Sequence, residues 1–224
     1  MKNVENKQLK YEKALEYEIF TKEGYGFAKN KIQDAECIFD IWWHVWYFSQ
    51  WCRMLNHDTK IYYFEPVREF YNRAQSVLWN DENIILNNMG IGSKFENSTI
   101  LFNEEKTMQS SKYSSFLNKN GKEINVGFIT LKDYLRDNNI DKIDVLKMDI
   151  EWMEFEVLSS RWYFERQKID NLIAEIHILN GEMKSEWDQL FEKMKNIFWS
   201  VEIICSWYCE DIFLVWACRE AWLW

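Results

Sequence analysis

Two kinds of apolar pattern alternate along the chain. Short runs rich in β-branched and aromatic residues predict strands at 36–41 (ECIFDI), 60–64 (KIYYF), 83–88 (NIILNN), 143–149 (IDVLKMD) and 170–178 (DNLIAEIHI). Two further strands are predicted near 200–206 and 211–218. Between them, helices are predicted over 47–56, 67–78, 130–138, 152–160 and 182–196. Thr130 stands as an N-cap with Asp133 at the capping-box position. The run EYEIFTKEGYGF reads as an N-terminal strand or hairpin, with Gly24 and Gly26 as turn residues. The polar stretch 93–125 reads as an inserted hairpin plus a mobile loop, whose Ser-rich part, 110–116, is a candidate acceptor lid.

Strand–helix alternation of this kind implies a doubly wound α/β fold, a mostly parallel sheet with helices on both faces. The last two strands follow each other so closely that they should pair antiparallel or lie as neighbours. The expected organisation is an N-terminal helix/hairpin extension over 1–35, one domain over 36–219 and a short tail over 220–224.

Composition narrows this picture. The chain has 224 residues, 47% of them hydrophobic, which suits one full-sized core. No uncharged apolar run approaches the roughly 18 residues that a membrane-spanning helix needs. The polar N-terminus lacks the apolar core of a signal peptide, so a cytoplasmic, soluble protein without a membrane partner is expected. A net charge of -9 argues against a nucleic-acid partner, because non-specific binding needs a basic footprint. Five cysteines do not form a disulfide framework in such a chain, and no metal site is assigned. The abnormal numbers are 13 Trp against 7 Gly. Nothing in the sequence sets the oligomeric state.

In doubly wound folds, ligands bind at the carboxyl ends of the strands. The residues there are Asp40, Glu65, Asn88, Asp149 and His177. Glu65 lies 25 positions after Asp40, a spacing that suits a carboxylate accepting both hydroxyls of a ribose. A solvated strand-end charge is the alternative. Glycines should line the first turn, where a ligand lies against backbone, yet Trp42, Trp43 and Trp46 stand there.

The segments FDIWWHVWYFS, YYFEPVREFYNRA, IDVLKMDIEWMEFEVLSS and LIAEIHI resemble those of FkbM-type methyltransferases, a class I family dependent on S-adenosylmethionine. The resemblance spans roughly residues 36–219. It implies a Rossmann-like class I methyltransferase fold, with a mostly parallel seven-stranded sheet and an antiparallel last strand. By the same resemblance, Asp40 and the turn of Trp42, Trp43 and Trp46 would hold the methionine part of the cofactor. Glu65 would hold the ribose hydroxyls, and Asn88, Met89 and Gly90 would lie near the adenine. Asp149, Glu151, Glu175 and His177 would flank the acceptor hydroxyl.

His177 is the first choice of base, since imidazole titrates near neutrality. Asp149 is the second, its alternative role being an oxygen ligand to Mg²⁺ beside Glu151 or Glu175. A hydrogen-bonded core histidine is the competing reading of His177. Glu154 reads as a first-turn acid of its helix, and Lys147 as either a structural ion-pair partner or a catalytic group.

The implied activity is O-methylation of a small-molecule or glycan acceptor: a sugar, a glycan or a secondary metabolite. The rival is an inactive methyltransferase-like binding domain with an occluded cofactor site. A nicotinamide-dependent oxidoreductase is disfavoured by the 144–158 segment. Trp42, Trp43, Trp46 and Trp152 occupy family positions for glycine or, at 43, a small residue. A single-type exchange beside a glycine deficit suggests an alternative genetic code, with UGA glycine codons read as tryptophan. If the indoles are physically present, they are expected to crowd the cofactor turn and to strain any position that needs positive φ.

Overall fold

The computed structural model describes residues 9–10, 12–42, 46–102, 122–150, 153–159, 169–178, 180–205 and 212–219. The strands of the main sheet are β1 (Cys37–Trp42), β2 (Lys60–Phe64), β3 (Ile84–Asn87), β7 (Ile143–Asp149), β8 (Ile169–His177), β9 (Ser200–Cys205) and β10 (Ile212–Cys218). They form a seven-stranded sheet in the order β3-β2-β1-β7-β8-β10-β9. Neighbours from β3 to β8 run parallel, and β10 pairs antiparallel with both β8 and β9. The strand order reverses between β1 and β7, which opens a crevice at their carboxyl ends.

Six helices are described: α1 (Lys29–Gln33), α2 (Tyr47–Leu55), α3 (Arg68–Leu78), α4 (Leu131–Asp137), α5 (Glu154–Leu158) and α6 (Gly181–Lys195). Their chemistry is legible at the ends. Thr130 accepts from the backbone N–H of Asp133, and Asn180 caps α6 by accepting from Met183. Five-residue α5 is shorter than the span expected over 152–160, and residues 151, 152 and 160 lie outside those described. No described helix is long and apolar enough to cross a membrane.

The stretch EYEIFTKEGYGF is not a strand or hairpin. It forms a π-helical turn (Tyr17–Thr21), then a tight turn, then a 3₁₀ turn (Gly26–Ala28). Leu15 and Ile19 are buried four residues apart, the spacing of one helix face, so burial overrides the β preference of the aromatic residues. The reading of Gly24 and Gly26 as turn residues holds, since their N–H groups close onto Glu18 and Glu23 carbonyls.

The insertion is built on a second sheet. β4 (Gly90–Gly92), β5 (Glu96–Phe102) and β6 (Lys122–Thr130) lie in the order β4-β6-β5, with β5 and β6 as the expected hairpin. Residues 103–121, including the Ser-rich segment, lie outside those described. The Phe128 ring fixes this sheet to the core: a Cβ on Gly90 would lie 2.6 Å from its Cε1. A side chain at Gly90 therefore forces the ring to move. Gly90→Ala should lower stability by about 1–3 kcal/mol in denaturant unfolding. Combining it with Phe128→Leu should recover part of that loss, which a purely entropic glycine effect would not do.

Candidate active site

Strand alternation builds the site. On one face of the sheet, Ile38, Ile61, Tyr63, Val145, Ile173 and Trp216 form a buried cluster with Tyr25, Ile32, Phe48 and Trp51. Residues two apart share a face, so each parallel strand continues this cluster toward its carboxyl end with an ionisable group. Ile38 is followed by Asp40, Tyr63 by Glu65, Val145 by Lys147 and Asp149, and Ile173 by Glu175 and His177. The other face stays apolar through Phe39, Ile41, Phe64, Leu146, Met148, Ala174 and Ile176.

Asp40, Glu65, Lys147, Asp149 and His177 are all buried. Asp40 accepts a 2.5 Å bond from the Ser49 hydroxyl on Oδ2, while its buried Oδ1 has no partner among the described residues. Burial pushes its carboxyl up to about 6, against the opposing pull of Lys147 and the Ser49 bond. Glu65 accepts the Val67 N–H at 2.6 Å on Oε1, and its buried Oε2 likewise has no partner among the described residues. Burial raises the Glu65 carboxyl well above the ordinary range.

On the other side of the switch point, the Lys147 ammonium lies 3.3 Å from Asp149 Oδ2. Burial, and then the charge of Asp149, hold the Glu175 carboxyl above its ordinary range, with His177 and Lys147 opposing. His177 Nδ1 lies 3.1 Å from Glu154 Oε1, and Nε2 lies 3.7 Å from Glu175 Oε1. One donor atom each of Asp149, Glu175 and His177 lies within 4.8 Å of the others. Lys147 already sets positive charge against Asp149, the place where a divalent cation would otherwise bring it.

A family profile described as "Methyltransferase FkbM domain" matches residues 34–198. The chain belongs to this family. Solved structures are similar to the chain at low identity, and the one with a TM-score of 0.50 shares its fold. An O-methyltransferase from Bacillus cereus in complex with SAH is 11% identical, covers 86% of this chain and 79% of its own, and has a TM-score of 0.50. A precorrin-6y C5,15-methyltransferase from Geobacter metallireducens is 10% identical over 87% of this chain and 86% of its own, with a TM-score of 0.49. The 16S rRNA methylase ArmA is 9% identical over 88% and 81%, with a TM-score of 0.39. No curated protein matches the chain. The chain is thus a methyltransferase of the FkbM family with the class I fold, and its cofactor is S-adenosylmethionine.

The residues fit that cofactor. Asp40 and Glu65 each keep one buried oxygen without a partner among the described residues, and both lie on the same sheet face beside the switch point. Ribose hydroxyls suit Glu65, and a cationic sulfonium or ammonium suits carboxylates held in a buried site.

The other family-implied residues divide. Asn88 donates from Nδ2 to the Glu65 and Pro66 carbonyls, so it braces the loop after β2. Met89 packs, half-buried, against the core, and Gly90 makes room for Phe128. Trp42 ends β1 opposite Asp149. Trp46 is buried in the cluster with Phe48 and Trp51, with the Arg73 guanidinium 5.7 Å from its ring centroid. Neither Trp42 nor Trp46 has positive φ, so the expected backbone strain does not arise at these two. Trp43, Glu151 and Trp152, and the side chain of Trp42, lie outside what is described.

Two residues do more than the sequence reading gave them. Glu154 is a first-turn acid of α5, as expected, and is also fully buried and bonded to His177. Tyr25, brought in by the N-terminal turns, has its phenol raised by burial and then by the fields of Glu175, Asp149 and Asp40. Its signal in the sequence is weak, since an aromatic residue between two glycines reads as a turn.

The raised carboxyl of Asp40 sets a stability cost with a definite sign. The folded state binds its proton more tightly than the unfolded chain, so stability falls as pH rises from about 4 to about 6. Asp40→Asn removes the charge and should raise the melting temperature at pH 7 relative to the parent. At pH 4 it should change little. Melting curves at both pH values check this; about 3 kcal/mol is at stake at pH 7.

Proposed function

We propose that the chain is an O-methyltransferase acting on a hydroxyl of a small-molecule acceptor: a sugar, a glycan or a secondary metabolite. The observation that carries this reading is the buried His177 at the carboxyl end of β8. Its Nδ1 is bonded to Glu154, and its Nε2 is directed toward Glu175. A weakly acidic hydroxyl needs a base during methyl transfer, and imidazole is suited to that near neutrality.

S-adenosylmethionine, when bound, supplies an electrophilic methyl group on a sulfonium. Asp40 and Glu65 bind it on the β1–β2 side of the switch point. His177 would take the acceptor's proton, and the cofactor held by Asp40 and Glu65 would supply the methyl group and depart as S-adenosylhomocysteine. Asp149 and Glu175 flank the hydroxyl, with Glu151 as a further candidate at the end of β7. Alignment of oxygen, methyl carbon and sulfur at near-attack distance accounts for much of the acceleration. A net charge of -9 supports a small neutral acceptor over nucleic acid.

Calorimetric titration with S-adenosylmethionine tests the cofactor side. Glu65→Gln should weaken binding by about tenfold or more, at the cost of one charged hydrogen-bond acceptor. His177→Ala should leave that affinity unchanged while lowering kcat by about 10²–10⁴-fold in a hydroxyl-acceptor assay. Full kcat in His177→Ala would remove the histidine from the chemistry. An absence of cofactor binding in the parent would leave the inactive binding domain as the reading.

We also propose that the tryptophans at family glycine positions mark UGA codons that the source cell reads as glycine. Peptide mass spectrometry on protein from its native cells, on the tryptic fragment from Ile32 to Arg53, should give glycine masses at positions 42, 43 and 46. Tryptophan masses there would overturn the decoding proposal.

A further inference from the structure

We propose that Glu154 is a positioning residue for His177: it holds the imidazole with its proton on Nδ1, so that Nε2 presents a lone pair toward the acceptor. The catalytic half of this inference rests on the proposed O-methyltransferase reading; the tautomer does not. Glu154 opens α5, and His177 ends β8, 23 positions later. The two side chains meet below the surface, with Glu154 fully buried and His177 only 3% exposed.

The donor in this contact follows from the oxygen involved. Glu154 Oε1 already accepts the Ile150 N–H at 3.0 Å. The same oxygen faces His177 Nδ1 at 3.1 Å, so it is an acceptor toward both, and Nδ1 must carry the hydrogen. In neutral imidazole the other nitrogen then has no proton. Nε2 lies 3.7 Å from Glu175 Oε1, beyond hydrogen-bond reach.

Among the described residues, the charged groups around the ring come from three elements. Glu154 faces it from α5, Glu175 from its own strand, and Asp149 with its partner Lys147 from β7. On the remaining side β10 places Ile212 in register with His177. Of these groups, Glu154 alone meets Nδ1 at hydrogen-bond distance among the described residues. A carboxylate on one imidazole nitrogen fixes both ring orientation and tautomer, the arrangement that makes the opposite nitrogen an effective base.

A purely structural role is the competing explanation, since Glu154 also satisfies the buried Ile150 N–H. The tautomer separates the two. The chain has 3 histidines, so ring ¹⁵N–¹H correlation spectra are simple, and His177→Gln identifies the signal. The parent should show His177 protonated on Nδ1. Glu154→Leu, similar in size but without an acceptor, should lose that preference, and kcat should fall by about 10²–10⁴-fold with the KM for S-adenosylmethionine within about twofold.

A parent His177 protonated on Nε2 would overturn the proposal. So would an unchanged tautomer or unchanged kcat in Glu154→Leu. Should that variant not fold, the parent tautomer decides alone. If the tautomer is as expected and no hydroxyl acceptor is ever methylated, the O-methyltransferase reading fails while the assignment of Glu154 to the imidazole stands.

Discussion

One buried ammonium organises the charge of the sheet. Lys147 sits in the middle of β7 with its side chain 1% exposed, and its Nζ meets Asp149 two residues along the same strand. A charge at that depth is costly unless paired. The pairing is over-subscribed: the same ammonium also draws down the carboxyls of Asp40 on β1 and Glu175 on β8. One cation therefore faces more carboxylates than it can neutralise, and burial raises both Asp40 and Glu175 in spite of it. A sulfonium bound as proposed would favour the ionised forms of these acids.

The sheet was legible because its signal is local. Every main-sheet strand was predicted within a few residues, since alternation and β-branched content repeat over each run. Thr130 with Asp133 was equally readable, because a capping box is a contact within one turn. The N-terminal segment was not. Tyr17, Phe20, Tyr25 and Phe27 carry β preference, and only packing against α2 and the sheet makes helical turns the better burial. Glu154 escaped for a related reason. Its place in the sequence fits a helix-dipole acid, and its depth is set by a strand that arrives 23 residues later. The sharing of one sheet face by Asp40, Glu65, Lys147, Asp149, Glu175 and His177 was implicit in the spacing of two, yet only the pairing of the strands brings those positions side by side.

The tryptophans illustrate how position changes the meaning of one substitution. At 46 an indole is buried among Phe48, Trp51 and Tyr25, beneath Arg73, which is itself held by Glu12 of the N-terminal helical segment. That ring joins the core, and a glycine there would open α2 without any side chain to fill the same volume. Trp42 lies at the end of β1, its backbone in register with Asp149.

The two halves of the site meet at the switch point. Asp40 on β1 and Glu65 just after β2 each keep a buried oxygen without a partner among the described residues. Asp149, Glu175 and His177, on β7 and β8, are engaged with one another and with Lys147 and Glu154. A ligand that completes the first set brings positive charge to within the field that links Asp40, Lys147 and Asp149. Coulomb attraction then favours the ionised forms across the crevice, because all of these groups share one buried region of low polarisability. His177 is held at Nδ1 by its bond to Glu154. The imidazole can thus keep its orientation while the acids around it gain or lose protons, which is the property a base needs beside a cofactor that changes charge during the reaction.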